Sequence, residues 1–72
     1  MDVKKFYKNL GKKIKILREN ANLTQEQLAE KTGLSIDFIG KIEVNLKYPS
    51  IKTLLKFAEV FEISISDLLK DL

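Results

Sequence analysis

The chain has 72 residues, enough for one small domain, and 44% of them are hydrophobic, which suffices for a helical core. It contains no cysteine and no histidine, so disulfides, cysteine-ligated zinc, a thiol nucleophile and the commonest general base are excluded. The net charge of +3 is uneven, because residues 1–20 hold seven basic and two acidic side chains, a local net charge of +5. This excess is compatible with a polyanion partner and does not by itself indicate one.

Nothing in the sequence indicates export or membrane insertion. The N-terminal lysines are not followed by a continuous apolar stretch, and no apolar run approaches the roughly 20 residues that cross a bilayer. A small domain that needs no disulfides fits the cytoplasm. We therefore expect a single soluble, cytoplasmic domain over residues 1–72 that uses no membrane, metal or cofactor.

The first predicted helix runs from about Val3 to Asn20. Its apolar residues recur at steps of three and four and so share one face, whereas the lysines fall mostly on the other faces. The simpler interpretation of that basic side is a solvated helix surface. The residues expected to face inward are Phe6, Leu10, Ile14, Leu17 and Ala21.

A short second helix follows Thr24. The Thr24 side chain can accept from the amide three residues on while Gln27 reaches back, which makes a capping box. The helix runs to about Lys31 and stops at Gly33, since glycine tolerates the left-handed conformation of a C-terminal cap.

A third helix begins almost at once, because Ser35 repeats the capping pattern, and it ends near Glu43. Three residues separate the two helices, which must therefore cross sharply. The small side chain of Ala29 permits that close crossing, and Ile39 and Ile42 face inward. The second and third helices thus have the spacing of a helix-turn-helix.

A loop from Val44 to Pro49 comes next, in which Asn45 suits a positive φ angle and the proline prevents the helix from continuing. Ser50 caps a fourth helix that runs to about Phe61. The residues expected to form its apolar face are Ile51, Leu54, Leu55, Ala58 and Phe61.

A short fifth helix contains Leu68 and Leu69 and is capped by Ser64 or Ser66. No segment alternates apolar and polar residues with the period of two that indicates a strand, and no internal repeat occurs. The sequence therefore predicts an all-α domain.

Six motifs stand in a recognisable order: IKILREN, LTQEQLA, GLS, IxxIE, PSxxTL and SISDLL. They resemble the Cro and phage-repressor-like helix-turn-helix domains, also called XRE-type regulators, from about Leu10 to Leu69. The resemblance implies a compact five-helix, lambda-repressor-like domain whose third helix enters the major groove of DNA. It also implies a sequence-specific double-stranded DNA-binding transcriptional regulator without catalytic activity, acting as a homodimer on a two-fold symmetric operator.

The resemblance assigns base reading to the outer face of the third helix. Lys41 can donate to guanine or pair with a phosphate, and Ile36 can pack on a thymine methyl group. Asp37 either accepts from a cytosine amino group or only stabilises the first turn through the helix dipole. Gly40 stands where many relatives have serine, and glycine inside a helix costs about 1 kcal/mol relative to alanine.

The resemblance also assigns phosphate contacts to the start of the second helix, to Ser35 and to the loop after the third helix. Gln25 opens the second helix, where free amides and the helix dipole favour an anion. Ser35 can cap the third helix and touch a phosphate at once. The loop residues Asn45, Lys47 and Tyr48 resemble a second phosphate clamp.

Two further sets have structural roles. Arg18 and Glu43 correspond to a paired arginine and glutamate that tie the first helix to the end of the third in relatives. The C-terminal part of the chain has more apolar residues than a monomer of this size needs, which predicts a dimer face. The residues expected in that face are Phe57, Ile65, Leu69 and Leu72.

The alternative is a helix-turn-helix protein-interaction module, antitoxin-like or anti-repressor-like, with weak or no DNA binding. It rests on Ile36, Asp37, Phe38 and Gly40, which together are less polar and less basic than a typical reading surface. An enzyme is not expected, since the chain lacks histidine, cysteine and a glycine-rich phosphate loop.

Overall fold

The computed structural model describes residues 2–72, which form an all-α domain. The five helices are Val3–Asn20 (α1), Gln25–Thr32 (α2), Ile36–Glu43 (α3), Ile51–Phe61 (α4) and Ile65–Leu69 (α5). The part of the chain that the structure describes contains no strand. It also contains no helix long and apolar enough to cross a membrane. The predicted five-helix architecture is confirmed.

Polar side chains define where the helices begin. Thr24 Oγ1 accepts from the backbone amide of Gln27 at 3.0 Å, and Gln27 Oε1 accepts from the Thr24 amide at 2.8 Å, which completes the capping box. Ser64, and not Ser66, caps α5, because its Oγ accepts from the Asp67 amide at 3.0 Å. Each such cap typically stabilises a helix by about 1 kcal/mol.

The turn between α2 and α3 depends on Gly33, which adopts φ 73° and donates its amide to Ala29 O at 2.9 Å. A left-handed residue at this position lets the chain reverse without a steric penalty. Thr32 Oγ1 donates to Leu28 O at 2.7 Å inside the same turn. Ala29 is buried under the crossing, so the two helices pack closely.

A single core lies between the helices, and every helix contributes to it. Burying a large apolar side chain stabilises the fold by roughly 1.5–3 kcal/mol, so this small set provides much of the driving force. The buried apolar residues are Leu10, Ile14, Leu28, Ala29, Ile39, Ile42, Leu54, Phe57, Ala58 and Leu68.

The prediction of which α4 residues face the core is wrong in part. Ile51 and Leu55 are 63% and 51% exposed, whereas Thr53 and Phe57 are buried in their place. Apolar residues surround more than half of this helix, so periodicity does not determine its rotation, and packing of the bulky Phe57 ring decides it. Ala21 is likewise exposed, because α1 ends at the preceding residue and the chain turns away.

Gly11 brings α1 against the end of α3. A Cβ atom at this position would lie 2.5 Å from the carbonyl oxygen of Ile42, closer than any side chain can approach. The glycine therefore permits direct contact between the middle of α1 and the backbone at the end of α3. This contact sets the position of the loop that follows α3.

Candidate nucleic-acid interface

The α3 helix has one buried face and one exposed face. Ile39 and Ile42 are 0% and 1% exposed and anchor it to the core. On the opposite face Ile36 is 50% exposed, and the side chains of Asp37 and Lys41 are 74% and 42% exposed. The predicted reading residues are therefore together on the solvent side of one short helix.

Asp37 and Lys41 pair with each other across one turn of α3. Lys41 Nζ lies 3.0 Å from Asp37 Oδ2. Exposed pairs at this spacing contribute only about 0.2–0.5 kcal/mol, so DNA can exchange this contact for its own at little cost. The two opposite charges of the pair leave the exposed face of α3 without net charge at these positions.

Gly40 lies on the same helix, next to the Gln25 side chain. A Cβ atom at Gly40 would sit 3.5 Å from Gln25 Oε1, an ordinary van der Waals distance. Nothing within the protein therefore requires glycine here, in contrast to Gly11.

A buried polar network joins α1, α2 and α3. Arg18 Nε and Glu43 Oε2 are 2.7 Å apart, Arg18 Nη2 donates to Glu43 Oε1 at 3.1 Å, and Arg18 Nη1 donates to Leu23 O at 2.7 Å. The hydrogen bond to Glu43 raises the pKa of the Arg18 guanidinium, which therefore keeps its positive charge. The structure thus contains the ion pair that the resemblance implied.

Gln25 also belongs to this network. The sequence predicted a phosphate contact for Gln25 and not its hydrogen bond to Glu43. Its Nε2 donates to Glu43 Oε1 at 3.0 Å, so the side chain is engaged inside the protein. The first intrahelical bond of α2 runs from the Leu28 amide to Thr24 O, which leaves the Gln25 and Glu26 amides without a helical partner. Those two amides can receive an anion at the start of α2.

Ser35 is exposed and caps α3, with its Oγ accepting from the Phe38 amide at 3.1 Å. A hydroxyl group is both donor and acceptor, so the proton of Ser35 can still be donated outward. Capping and a phosphate contact are therefore compatible at this residue.

The loop between α3 and α4 is held by backbone hydrogen bonds to the last turn of α3 and by a contact with α1. Asn45 adopts φ 64°, and the amides of Leu46 and Lys47 both donate to Lys41 O, at 2.7 and 3.3 Å. The ring of Tyr48 stacks on Tyr7 of α1, with centroids 4.2 Å apart and planes at 10°. Tyr7 was not among the predicted site residues, because no local pattern links it to a residue 41 positions later.

The predicted dimer face needs one correction. Phe57 is 0% exposed and lies in the core, stacked near Phe61 at a centroid distance of 6.2 Å, so it has no surface for a partner. Ile65, Leu69 and Leu72 are half-buried and pack along the edge of the core.

A short helix that is exposed on one face and braced by the preceding helix across a glycine turn defines the helix-turn-helix class. The helix-turn-helix (HTH_3) family model matches residues 14–68. The chain belongs to this family.

Known proteins agree with this assignment. The chain is 40% identical over 57 residues to the immunity repressor protein of Bacillus phage phi105, covering 79% of this chain and 40% of that repressor. The crystal structure of the restriction-modification controller protein C.AhdI from Aeromonas hydrophila superposes with a TM-score of 0.82 at 29% identity, over 86% of this chain and 94% of that one. The biofilm master regulator SinR, solved in complex with DNA, superposes with a TM-score of 0.79 at 35% identity, over 85% and 98%.

Proposed function

We propose that this chain is a sequence-specific, double-stranded DNA-binding transcriptional regulator, without catalytic activity, that acts in the cytoplasm as a homodimer on a two-fold symmetric operator. The observation that supports it best is the exposed face of α3 beside the unpartnered amides of Gln25 and Glu26. One helix can thus enter the major groove while the start of the other holds a phosphate. The likeness to SinR, which was solved in complex with DNA, supports the same proposal.

In this proposal the residues that contact the base edges are Ile36, Asp37, Gly40 and Lys41. On binding, Lys41 leaves Asp37 and donates to a guanine edge, and Asp37 is then available to accept from a cytosine amino group. Ile36 packs on a thymine methyl group. At Gly40 the lack of a side chain lets the helix backbone approach the bases closely.

In this proposal two groups of residues bind phosphates, one before α3 in the chain and one after it. One group is the start of α2, through the amide of Gln25, together with the Ser35 hydroxyl. The other is the α3–α4 loop, which contains Asn45, Lys47 and Tyr48, of which Lys47 and Tyr48 are exposed. Contacts of this kind fix the register of the protein on the duplex and do not read sequence.

The homodimer is proposed from the half-buried apolar edge formed by Ile65, Leu69 and Leu72. A dimer with two-fold symmetry would place two copies of α3 about one helical turn apart on the duplex.

The experiment that tests the proposal is selection of duplexes from a random pool at low salt, followed by titration of the recovered duplex at increasing salt. A regulator of this class enriches a sequence with two-fold symmetry, and log Kd rises with log salt by about 0.9 for each phosphate contact. Recovery of no duplex at low salt would overturn the proposal.

The neutral Asp37–Lys41 pair favours a second candidate, the protein-interaction module. A reading face without net charge suits a protein partner as well as a groove of DNA. The same selection separates the two candidates, since an interaction module enriches no duplex.

A further inference from the structure

The middle of α1 forms an open cavity with the end of α3 and the loop that follows it. The cavity has a volume of about 250 Å³ and is lined by Lys8 and Lys12 of α1 together with Glu43, Val44 and Asn45. We refer to this feature as the lysine cavity. It lies outside the base-reading face of α3, and both of its lysines precede residues 14–68, the segment that the family model matches.

The lysine cavity has a positive charge that the protein does not neutralise. The Glu43 carboxylate is only 1% exposed and is engaged by Arg18 and Gln25, so it does not offset the lysines. Within residues 2–72 the salt bridges involve neither Lys8 nor Lys12, and both side chains are exposed. Both ammonium groups are therefore available to an anion.

The cavity is also held in a fixed relation to the loop that carries Asn45, Lys47 and Tyr48. Tyr7 stacks on Tyr48 at 4.2 Å, and Gly11 lets α1 contact the backbone at the end of α3. These two contacts flank Lys8 on either side along the helix. The helix and loop that carry the cavity residues therefore need no backbone rearrangement to bind an anion, which favours affinity.

We propose that the lysine cavity binds the sugar–phosphate backbone of DNA, next to the phosphates that the α3–α4 loop contacts. This inference rests on the proposed function, because it extends the same interface from α3 and its loop onto α1. Lysine ammonium groups bind phosphate as point charges and carry no sequence information. Lys4 and Lys15 continue the same face one turn to either side, at spacings of four and three residues.

The test compares two double variants of equal charge. Lys8→Gln/Lys12→Gln removes the cavity lysines, and Lys31→Gln/Lys70→Gln removes two exposed lysines from the end of α2 and the segment after α5. Fluorescence anisotropy measures Kd from low to high salt for the selected duplex and for a scrambled duplex of the same length. Thermal unfolding and sedimentation establish that both variants fold and associate like the unsubstituted chain.

Each protomer loses two phosphate contacts at about 0.9 each, so the cavity variant should reduce the salt slope by about 1.8 per protomer, or about 3.6 for the bound homodimer. It should weaken the selected and the scrambled duplex by the same factor, whereas the control variant keeps the original slope. An unchanged slope, or an equal reduction in the control, overturns the inference and leaves the proposed function intact. If the unsubstituted chain binds no duplex at all, the proposed function itself fails.

Discussion

Arg18 joins α1 to the end of α3 and to the segment that precedes α2, since it contacts both Glu43 and the Leu23 carbonyl. Arg18→Ala would leave the Glu43 carboxylate buried without its cation, which costs about 3–5 kcal/mol. Urea unfolding measures the loss of stability as a large decrease in the urea concentration at the unfolding midpoint. Lys15→Ala is the matched control, because an exposed lysine on the same helix should change stability by less than about 0.5 kcal/mol. An unchanged midpoint for Arg18→Ala would contradict a structural role for the pair.

The two helical glycines should respond in opposite ways to the same substitution. Gly11→Ala places a methyl group 2.5 Å from Ile42 O, so the helices must separate, at a cost of about 1–3 kcal/mol. Gly40→Ala meets Gln25 at an ordinary 3.5 Å and should stabilise the free protein by up to about 1 kcal/mol through helix propensity. Chemical denaturation of both variants measures whether the free energy of unfolding falls or rises. Stabilisation by Gly11→Ala would show that α1 and the end of α3 are not in close contact at this position.

Lys41 is expected to read a base. Lys41→Ala should then relax the sequence preference at one position of each half-site by about 1–3 kcal/mol, with little change in the salt slope. Binding to a set of duplexes with single base substitutions measures this preference. If Lys41 instead contacts a phosphate, binding to all sequences weakens equally and the salt slope falls by about one per protomer, or about two for the homodimer.

At the scale of the elements, the α3–α4 loop depends on a contact with α1, which lies far away in the sequence. The stacked Tyr7–Tyr48 pair holds the loop against α1, and such pairs contribute about 0.5–1.5 kcal/mol beyond their buried area. Tyr7→Leu should therefore lower stability by about 1 kcal/mol and weaken binding to all duplexes alike, whereas Tyr7→Phe retains both properties. Denaturation and duplex titration on the two variants measure the effects. Equal loss in Tyr7→Phe would mean that the hydroxyl group, and not the stack, holds the loop.

At the scale of the whole molecule, the proposed binding to a two-fold symmetric operator requires the proposed homodimer. Leu69→Lys places a charge within the half-buried C-terminal edge and should shift the protein from dimer to monomer. Sedimentation equilibrium over a range of concentrations measures the association constant. Ile16→Lys is the matched control, because Ile16 is 55% exposed on α1 and lies outside that edge. Retention of the dimer in Leu69→Lys would exclude this edge as the interface.

The sequence determined the helices and their boundaries, because these depend on groups only three or four residues apart. The capping box of Thr24 and Gln27, the left-handed Gly33 and the cap at Ser35 all occur as predicted. The solvent-facing positions of Ile36 and Lys41 followed from helical periodicity, because Ile39 and Ile42 occupy the opposite face and pack in the core. The family resemblance, in turn, implied the contact between Arg18 and Glu43.

The tertiary structure decided what depends on residues far apart in the chain. Packing rotated α4 so that Phe57 entered the core and Leu55 stayed outside, because the apolar pattern of that helix allowed either rotation. The contact of Gly11 with Ile42 O and the stack of Tyr7 on Tyr48 link positions 31 and 41 residues apart, which no helical period connects. Local chemistry therefore specified the helices, and long-range packing specified the surface around α3.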